Sequence, residues 1–215
     1  MESMEFKLQN SKRRRFQFRL RTLFILTVIV AVPCAWLGPK IQRKAKERAA
    51  VREIEKAGGF VVYDDEKGEQ NGPTWLRELL GEQFFNDVVF VYCRNVSDPT
   101  IAGLDGFDPF TSLRRLDLGY TNVGDRGLAH LDGLINLEYL DLVGTPITDA
   151  GLEHIERLSN LKELYLMGTK ITDRGLARLK RLSSLQILYL DATGVTDDGV
   201  DDLKRALPGC DVQHL

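Results

Sequence analysis

The chain is 215 residues long and carries a formal net charge of −2. That near-neutral total conceals a split: residues 1–52 hold 13 Lys/Arg against 3 Asp/Glu, a net of +10, whereas residues 53–215 hold 16 against 28, a net of −12. Such asymmetry points to a basic arm or a membrane contact at one end. Three cysteines, Cys34, Cys93 and Cys210, lie far apart with no CxxC pair. This excludes a disulfide framework and a zinc site, and leaves burial as small apolar residues.

Residues 1–21 read as a basic tail. Residues 22–38, TLFILTVIVAVPCAWLG, then run without a charge between Arg13, Arg14, Arg15, Arg19 and Arg21 on one side and Lys40, Arg43, Lys44, Lys46 and Arg48 on the other. A helix of that length spans about 26 Å, a little short of a ~30 Å hydrocarbon core, and flanking basic side chains can snorkel across the difference. Trp36 suits the interface. A buried soluble helix is poorly supported, and a cleaved signal peptide lacks an A-x-A site around Val32–Trp36. The expectation is an uncleaved single-pass transmembrane anchor, with the basic clusters against anionic head groups. Nucleic-acid binding, the usual rival for a basic run, is not expected beside an apolar span. Basic residues flank both sides about equally, so the positive-inside rule hardly discriminates. The short arginine-rich start favours an inside N terminus and an extracytoplasmic C-terminal part.

Residues 39–85 read as a membrane-proximal helix and an α+β capping module. The stretch IQRKAKERAAVREIEKAGG predicts a helix closed by Gly58, and Phe60–Tyr63 a strand. Residues 64–72 read as a polar loop and 73–81 as a short helix with Trp75, Leu76, Leu79 and Leu80 apolar. The module is placed as a lid over the exposed core of the repeats at 86–215.

Those residues share one frame. The pattern L-x-x-L-x-L recurs every 24 residues at Leu113/Leu116/Leu118, Leu137/Leu140/Leu142, Leu161/Leu164/Leu166 and Leu185/Leu188/Leu190. Each unit continues with a threonine (Thr121, Thr145, Thr169, Thr193), an aliphatic residue, an aspartate (Asp125, Asp149, Asp173, Asp197) and a glycine (Gly127, Gly151, Gly175, Gly199). The Y-L-D-L-V segment alternates like a strand; Leu152, Ile155 and Leu158 share one helical face. Thr148 or Asp149 is placed to cap that helix. The threonine hydroxyls are expected to bond turn main chain from unit to unit. No unit can bury its apolar side alone, so the units must stack on one continuous core. A weaker unit precedes them, with Val89, Val91, Val96, Asp98, Ile101, Leu104 and Phe107 in the same columns at a spacing of 27. A last strand is expected in Leu207–Val212, with Cys210 in an apolar slot, making about six.

This pattern resembles the leucine-rich repeat family, in the subtype whose units carry T-x-I-T-D-x-G-L. Thr145–Leu152 and Thr169–Leu176 match it fully, while Gly124 and Val200 depart from it in the outer units. The block I-E-K-A-G-G-F-V-V-Y-D is similar to the membrane-proximal segment of bacterial anchored members. The resemblance implies an α/β, right-handed solenoid with parallel strands on a concave face, helices on the convex face, and protein recognition as its work.

No constellation for catalysis emerges. There is no G-x-x-x-x-G-K-[ST], G-x-S-x-G or H-E-x-x-H. His130 and His154 share a column, but two imidazoles do not close a metal site. The aspartate file supplies one carboxylate per unit, unlike a calcium loop. Neither enzyme, cofactor, metal nor small-molecule substrate is expected. The partner is expected to be a protein of unknown identity on the concave face. That face is read as three files: Val88, Arg115, Tyr139, Glu163, Ile187; Phe90, Asp117, Asp141, Tyr165, Tyr189; and Tyr92, Gly119, Val143, Met167, Asp191. Tyr, Met and Arg are enriched in interfaces, although Tyr and Val also simply favour strands. An envelope spacer or self-association element, and an adaptor of the ubiquitin-ligase type, are the alternatives.

Overall fold

The computed structural model describes residues 38–64, 77–78, 81, 84, 86–94 and 110–214. The chain divides into two compact units, residues 1–45 and 46–215. In the first, residues 38–45 are helical. The basic tail and, apart from Gly38, the expected anchor at 22–38 lie outside the described residues. So do most of the 64–72 loop and the 73–81 helix, and the weaker unit from Val96 to Phe107. Among the described residues no helix is long and apolar enough to cross a membrane.

The second unit opens with helix α1 (residues 46–56), which ends at the expected glycine. Gly59 N–H donates to Ile54 C=O at 2.9 Å and Gly58 N–H to Glu55 C=O at 3.1 Å. Gly58 has φ +92°, a left-handed conformation that costs least without a Cβ. Seven strands form one sheet in sequence order: β1 (Phe60–Tyr63), β2 (Val88–Tyr92), β3 (Arg115–Asp117), β4 (Tyr139–Asp141), β5 (Glu163–Tyr165), β6 (Ile187–Tyr189) and β7 (Asp211–Gln213). Strands β2 to β7 are parallel, while β1 runs antiparallel to β2. The seventh strand is thus β1, which joins the edge of the sheet beside β2.

The leucine frame sets the register. Leu116, Leu140, Leu164, Leu188 and Val212 are successive Cα partners across β3 to β7. The four matching leucines, with Leu118, Leu142, Leu166 and Leu190, are fully buried. Helices α2 (Asp125–Leu128), α3 (Leu152–Ile155), α4 (Asp173–Leu179) and α5 (Asp197–Ala206) come after β3 to β6 in turn and bury Leu128, Leu152, Ile155, Leu176, Leu179 and Leu203. Val51 and Ile54 of α1 join the same core as β2 and the repeats.

One register differs from the expectation. Phe90, Val91 and Tyr92 pair with Arg115, Leu116 and Asp117, a spacing of 25 rather than 27. Val91 and Cys93 therefore fill the slots of Leu116 and Leu118, and both are fully buried. Val88 is buried too and does not belong to the exposed face.

The recurring polar columns work differently from their local reading. Each threonine hydroxyl donates within its own unit: Thr121, Thr145 and Thr169 to the carbonyls of Leu118, Leu142 and Leu166 at 2.7, 2.7 and 2.6 Å. The aspartates instead reach the next unit. Asp125 Oδ1 accepts from Thr148 N at 2.8 Å and Oδ2 from Thr148 Oγ1 at 2.7 Å. Asp149 holds Thr172, and Asp173 holds Thr196, by the same two bonds. Threonines cap the two later helices, Thr172 accepting from Arg174 N and Thr196 from Gly199 N, whereas α2 and α3 have Gly124 and Gly151 at their N-caps and no side-chain cap, so neither Thr148 nor Asp149 caps α3. The glycine column leaves room for this clasp. A Cβ on Gly151 would lie 2.6 Å from Asp125 Oδ1, and one on Gly175 or Gly199 would collide with Asp149 or Asp173. On the helical side, His154 Nδ1 lies 3.2 Å from Asp132 Oδ1, and Arg178 pairs with Glu153 and Glu156.

Candidate binding face

Alternation sends the leucines of β3 to β6 inward and their neighbours outward. With the register moved by two residues at β2, the exposed face has three files. The first is Phe90, Arg115, Tyr139, Glu163, Ile187; the second Tyr92, Asp117, Asp141, Tyr165, Tyr189; the third Arg94, Gly119, Val143, Met167, Asp191. Strand β1 extends it, since Phe60 pairs with Tyr92 and Val62 with Phe90.

Rings run almost unbroken across the sheet. Phe60 stacks on Tyr92 at 4.8 Å between centroids and meets Phe90 edge-on at 6.1 Å. The Arg115 guanidinium sits 5.9 Å from the Phe90 ring and 4.3 Å from Tyr139, within cation–π range. Tyr139 tilts against Tyr165 at 5.2 Å, and Tyr165 stacks on Tyr189 at 5.0 Å with 9° between planes. The faces of Tyr139, Tyr165 and Tyr189 are therefore spent largely on each other. Burial raises the Tyr165 pKa, helped by Glu163, whose Oε2 accepts from the Tyr165 hydroxyl at 3.2 Å. Burial likewise pushes Tyr139 up, with Asp141 and Asp117 adding to it. These phenols stay protonated donors at neutral pH.

Two of the expected contact residues are not available to a partner. Asp117 and Asp141 are 5% and 3% exposed. Asp117 Oδ1 accepts from Gly119 N at 2.9 Å and Asp141 Oδ1 from Val143 N at 2.8 Å. Their other oxygens lie 3.9 and 3.7 Å from Arg94 Nη1. A carboxylate taken out of water must be bonded or paired, and here it holds a turn. Burial pushes the Asp141 carboxyl above its ordinary 3.8, with the Val143 N–H and Arg94 opposing. A Cβ on Gly119 would press on Asp117, Asp141 and Arg94 at 3.2–3.3 Å, so the glycine makes space for the cluster.

Of the other expected residues, Arg115 is exposed, and Phe90, Tyr92, Tyr139, Glu163, Tyr165, Met167, Ile187, Tyr189 and Asp191 are half-buried on this one face. Four residues add to it that the repeat columns alone do not mark: Phe60 and Val62, 48% and 42% exposed, Arg94, and Tyr120, 54% exposed. Tyr120 has φ +56° at the turn position where the next two units have Gly144 and Gly168, and Arg94 sits 5.1 Å from its ring. The β1 alternation carries the signal for Phe60 and Val62; a spacing of 25 would deliver Arg94. Cys93 and Cys210 are buried, and burial raises their thiols to about 12 and about 11, so neither is a nucleophile at neutral pH.

The Leucine Rich repeat family matches at residues 111–131, 133–155 and 157–180, the stretches that contain β3 to β5 and their helices. Residues 111–180 are leucine-rich repeats. The leucine-rich array extends past the matched residues: β6 and α5 repeat the same register, and β2 and β7 add a rung at either end. Among solved structures, it is similar to the leucine-rich-repeat ectodomain of the receptor kinase SOBIR1 from Arabidopsis thaliana, at 15% identity and a TM-score of 0.50, covering 80% of this chain and 92% of that one. It also matches internalin C2 from Listeria monocytogenes at 20% identity and a TM-score of 0.43, covering 61% and 66%. A leucine-rich-repeat protein of Leptospira interrogans matches at 21% identity and a TM-score of 0.40. The leucine-rich-repeat chain covers half of its own length in that last match and 27% of the Leptospira protein's. No curated protein sequence matches it.

Proposed function

We propose that this is a single-pass membrane-anchored protein whose leucine-rich repeats bind a protein partner, without catalysis, through the exposed face of the sheet. The anchor is the uncharged stretch 22–38 between basic clusters; the repeats lie on the extracytoplasmic side. Residues 46–63 act as the N-terminal cap: Val51 and Ile54 add to the repeat core, and β1 closes the sheet edge.

The observation that carries the reading is the band from Phe60 to Tyr189. Solenoids present extended surfaces, and this one aligns rigid aromatics and an arginine on one side of the sheet. Such residues supply binding hot spots, and stacked rings leave little free face for sugar rings or bases.

A photo-cross-linking residue placed at Tyr189 in cells should give discrete protein adducts that the same residue at Glu153, on the helical side, does not. Replacing both Tyr139 and Tyr165 by alanine should abolish them. Adducts from both positions alike, or adducts unchanged by the double substitution, would overturn the site. Carbonate-resistant membrane association and protease removal of the repeats from intact cells test the anchor and its orientation.

A further inference from the structure

Read across β2 to β6, the exposed face is its own complement. The first file runs apolar, cation, tyrosine, anion, apolar: Phe90, Arg115, Tyr139, Glu163, Ile187. The third begins with Arg94 and ends with Asp191, with Val143 at its centre. The first file reads alike from both ends once the sign of charge is inverted, the third does so at its two charged ends, the second at its terminal tyrosines, and the centre of all three is β4.

We propose that the occupant of this face is a second copy of the same chain, seated face to face about a twofold axis running along β4, parallel to the strands. The proposal rests on the reading of this face as the binding surface. A rotation of that kind sets each file opposite itself and reverses the strand order, so the contact is isologous and closes as a dimer. Arg115 then meets Glu163 of the second copy, and Arg94 meets Asp191, each pair occurring twice. Phe90 meets Ile187, and Tyr92 meets Tyr189. Met167 faces the rung where Gly119 has no side chain. Tyr139 lies on the axis and meets itself, while Asp141 and Val143, next in the same column, are buried. The other face-to-face twofold, perpendicular to the strands, keeps the strand order and would lay the half with Arg94 and Arg115 over the same half of the second copy, and the half with Glu163 and Asp191 likewise, and like charges oppose it.

The charge order selects this arrangement among partners as well. A partner of uniform sign would gain at one end of the face and lose at the other: Arg94 follows β2 and Arg115 stands on β3, while Glu163 and Asp211 stand on β5 and β7 and Asp191 follows β6. A second copy turned end for end satisfies both. Five strands at ~4.8 Å and five residues at ~3.3 Å give roughly 400 Å² per face. That is half of the ~800 Å² per partner in a standard interface, so the dimer is weak and depends on the copies being held close together.

The test uses the full chain in phosphatidylcholine vesicles. With Tyr139→Cys on the axis, a short bismaleimide, which can span the ~10 Å between packed sheets, should give a cross-linked dimer at least about tenfold faster than Ala177→Cys, an exposed position on the helical side; the chain without an added cysteine supplies the background. In the Tyr139→Cys form, Arg115→Glu or Glu163→Arg alone should slow cross-linking about tenfold, and the two together should restore it, as paired rim charges set encounter. A Tyr139→Cys rate no higher than that of Ala177→Cys, or a double variant as slow as the single ones, overturns the proposal. A chain that does not self-link, but whose Tyr189 photo-adducts contain another protein and vanish on Tyr139→Ala/Tyr165→Ala, ends the dimer and keeps the face. A face giving neither product ends both.

Discussion

From β3 to β6 each strand meets the next at a spacing of 24 residues and in the same direction, whereas β2 meets β3 at 25 and β1 meets β2 in the opposite direction. The middle is a file of interchangeable parts: one leucine frame, one aspartate–threonine clasp, one glycine that admits it. The N-terminal rung reaches the same core with Val91 and Cys93 in place of leucines and with Val51 and Ile54 in place of a preceding repeat. An array of identical units needs an unlike unit at its end, because identical ends would leave an apolar layer and a strand edge open. Its exposed side differs as well. The N-terminal half of the face carries Phe60, Phe90, Arg94 and Arg115; the C-terminal half carries Glu163, Tyr165, Tyr189 and Asp191.

The contrast between middle and end breaks most sharply at the buried leucines. Leu164→Ala, flanked by rungs on both sides and fully buried, should cost about 2–5 kcal/mol of stability, near the top of that range. Leu207→Ala, at the C-terminal end, should fall at the bottom. Chemical denaturation followed by circular dichroism reads both; equal losses would mean that the ends are as tightly held as the middle.

The glycine column comes next. Gly175→Ala forces a methyl against the Asp149 carboxylate and Leu152, and overpacking of this kind costs about 1–3 kcal/mol. Gly133→Ala, where a Cβ would meet nothing within 4 Å, should stay within about 0.5 kcal/mol of the parent.

The clasp itself is a smaller effect. Asp149→Ala and Thr172→Ala should each cost about 1 kcal/mol, with a coupling of about 0.5 kcal/mol or more in the double variant. Additive losses would show that the two bonds between Asp149 and Thr172 contribute nothing as a pair.

The smallest expected effect is a slope with pH. The folded Asp141 carboxyl holds its proton more tightly than the ordinary value of 3.8. Between that value and the raised one the folded state binds more protons than the unfolded chain, so stability falls as pH rises through the window. Asp141→Asn should remove this fall. The Asn side-chain oxygen can still accept from Val143 N, and denaturation midpoints measured at steps above pH 3.8 check it.

The order of residues along the chain is enough to dictate the solenoid. A leucine frame at a fixed period leaves no other way to bury its apolar faces than stacking. That period aligns β3 to β7 and turns Tyr139, Tyr165 and Tyr189 outward, and a glycine pair ends α1 at Gly58. Three-dimensional packing decides whatever depends on a neighbour far away in the chain. Alternation in Phe60–Tyr63 says that a strand forms but not which way it runs, since either direction shows the same residues to each face. The β2 register has no leucine frame to pin it, and a slip of two residues keeps inward side chains inward, so periodicity alone puts Val88 on the exposed face and leaves Arg94 off it. The aspartates of the turns and of the strands look equally polar in a string of letters. Only the unit 23 residues on, or an arginine two strands away, tells Asp149 to clasp a threonine and Asp141 to sink beneath the face.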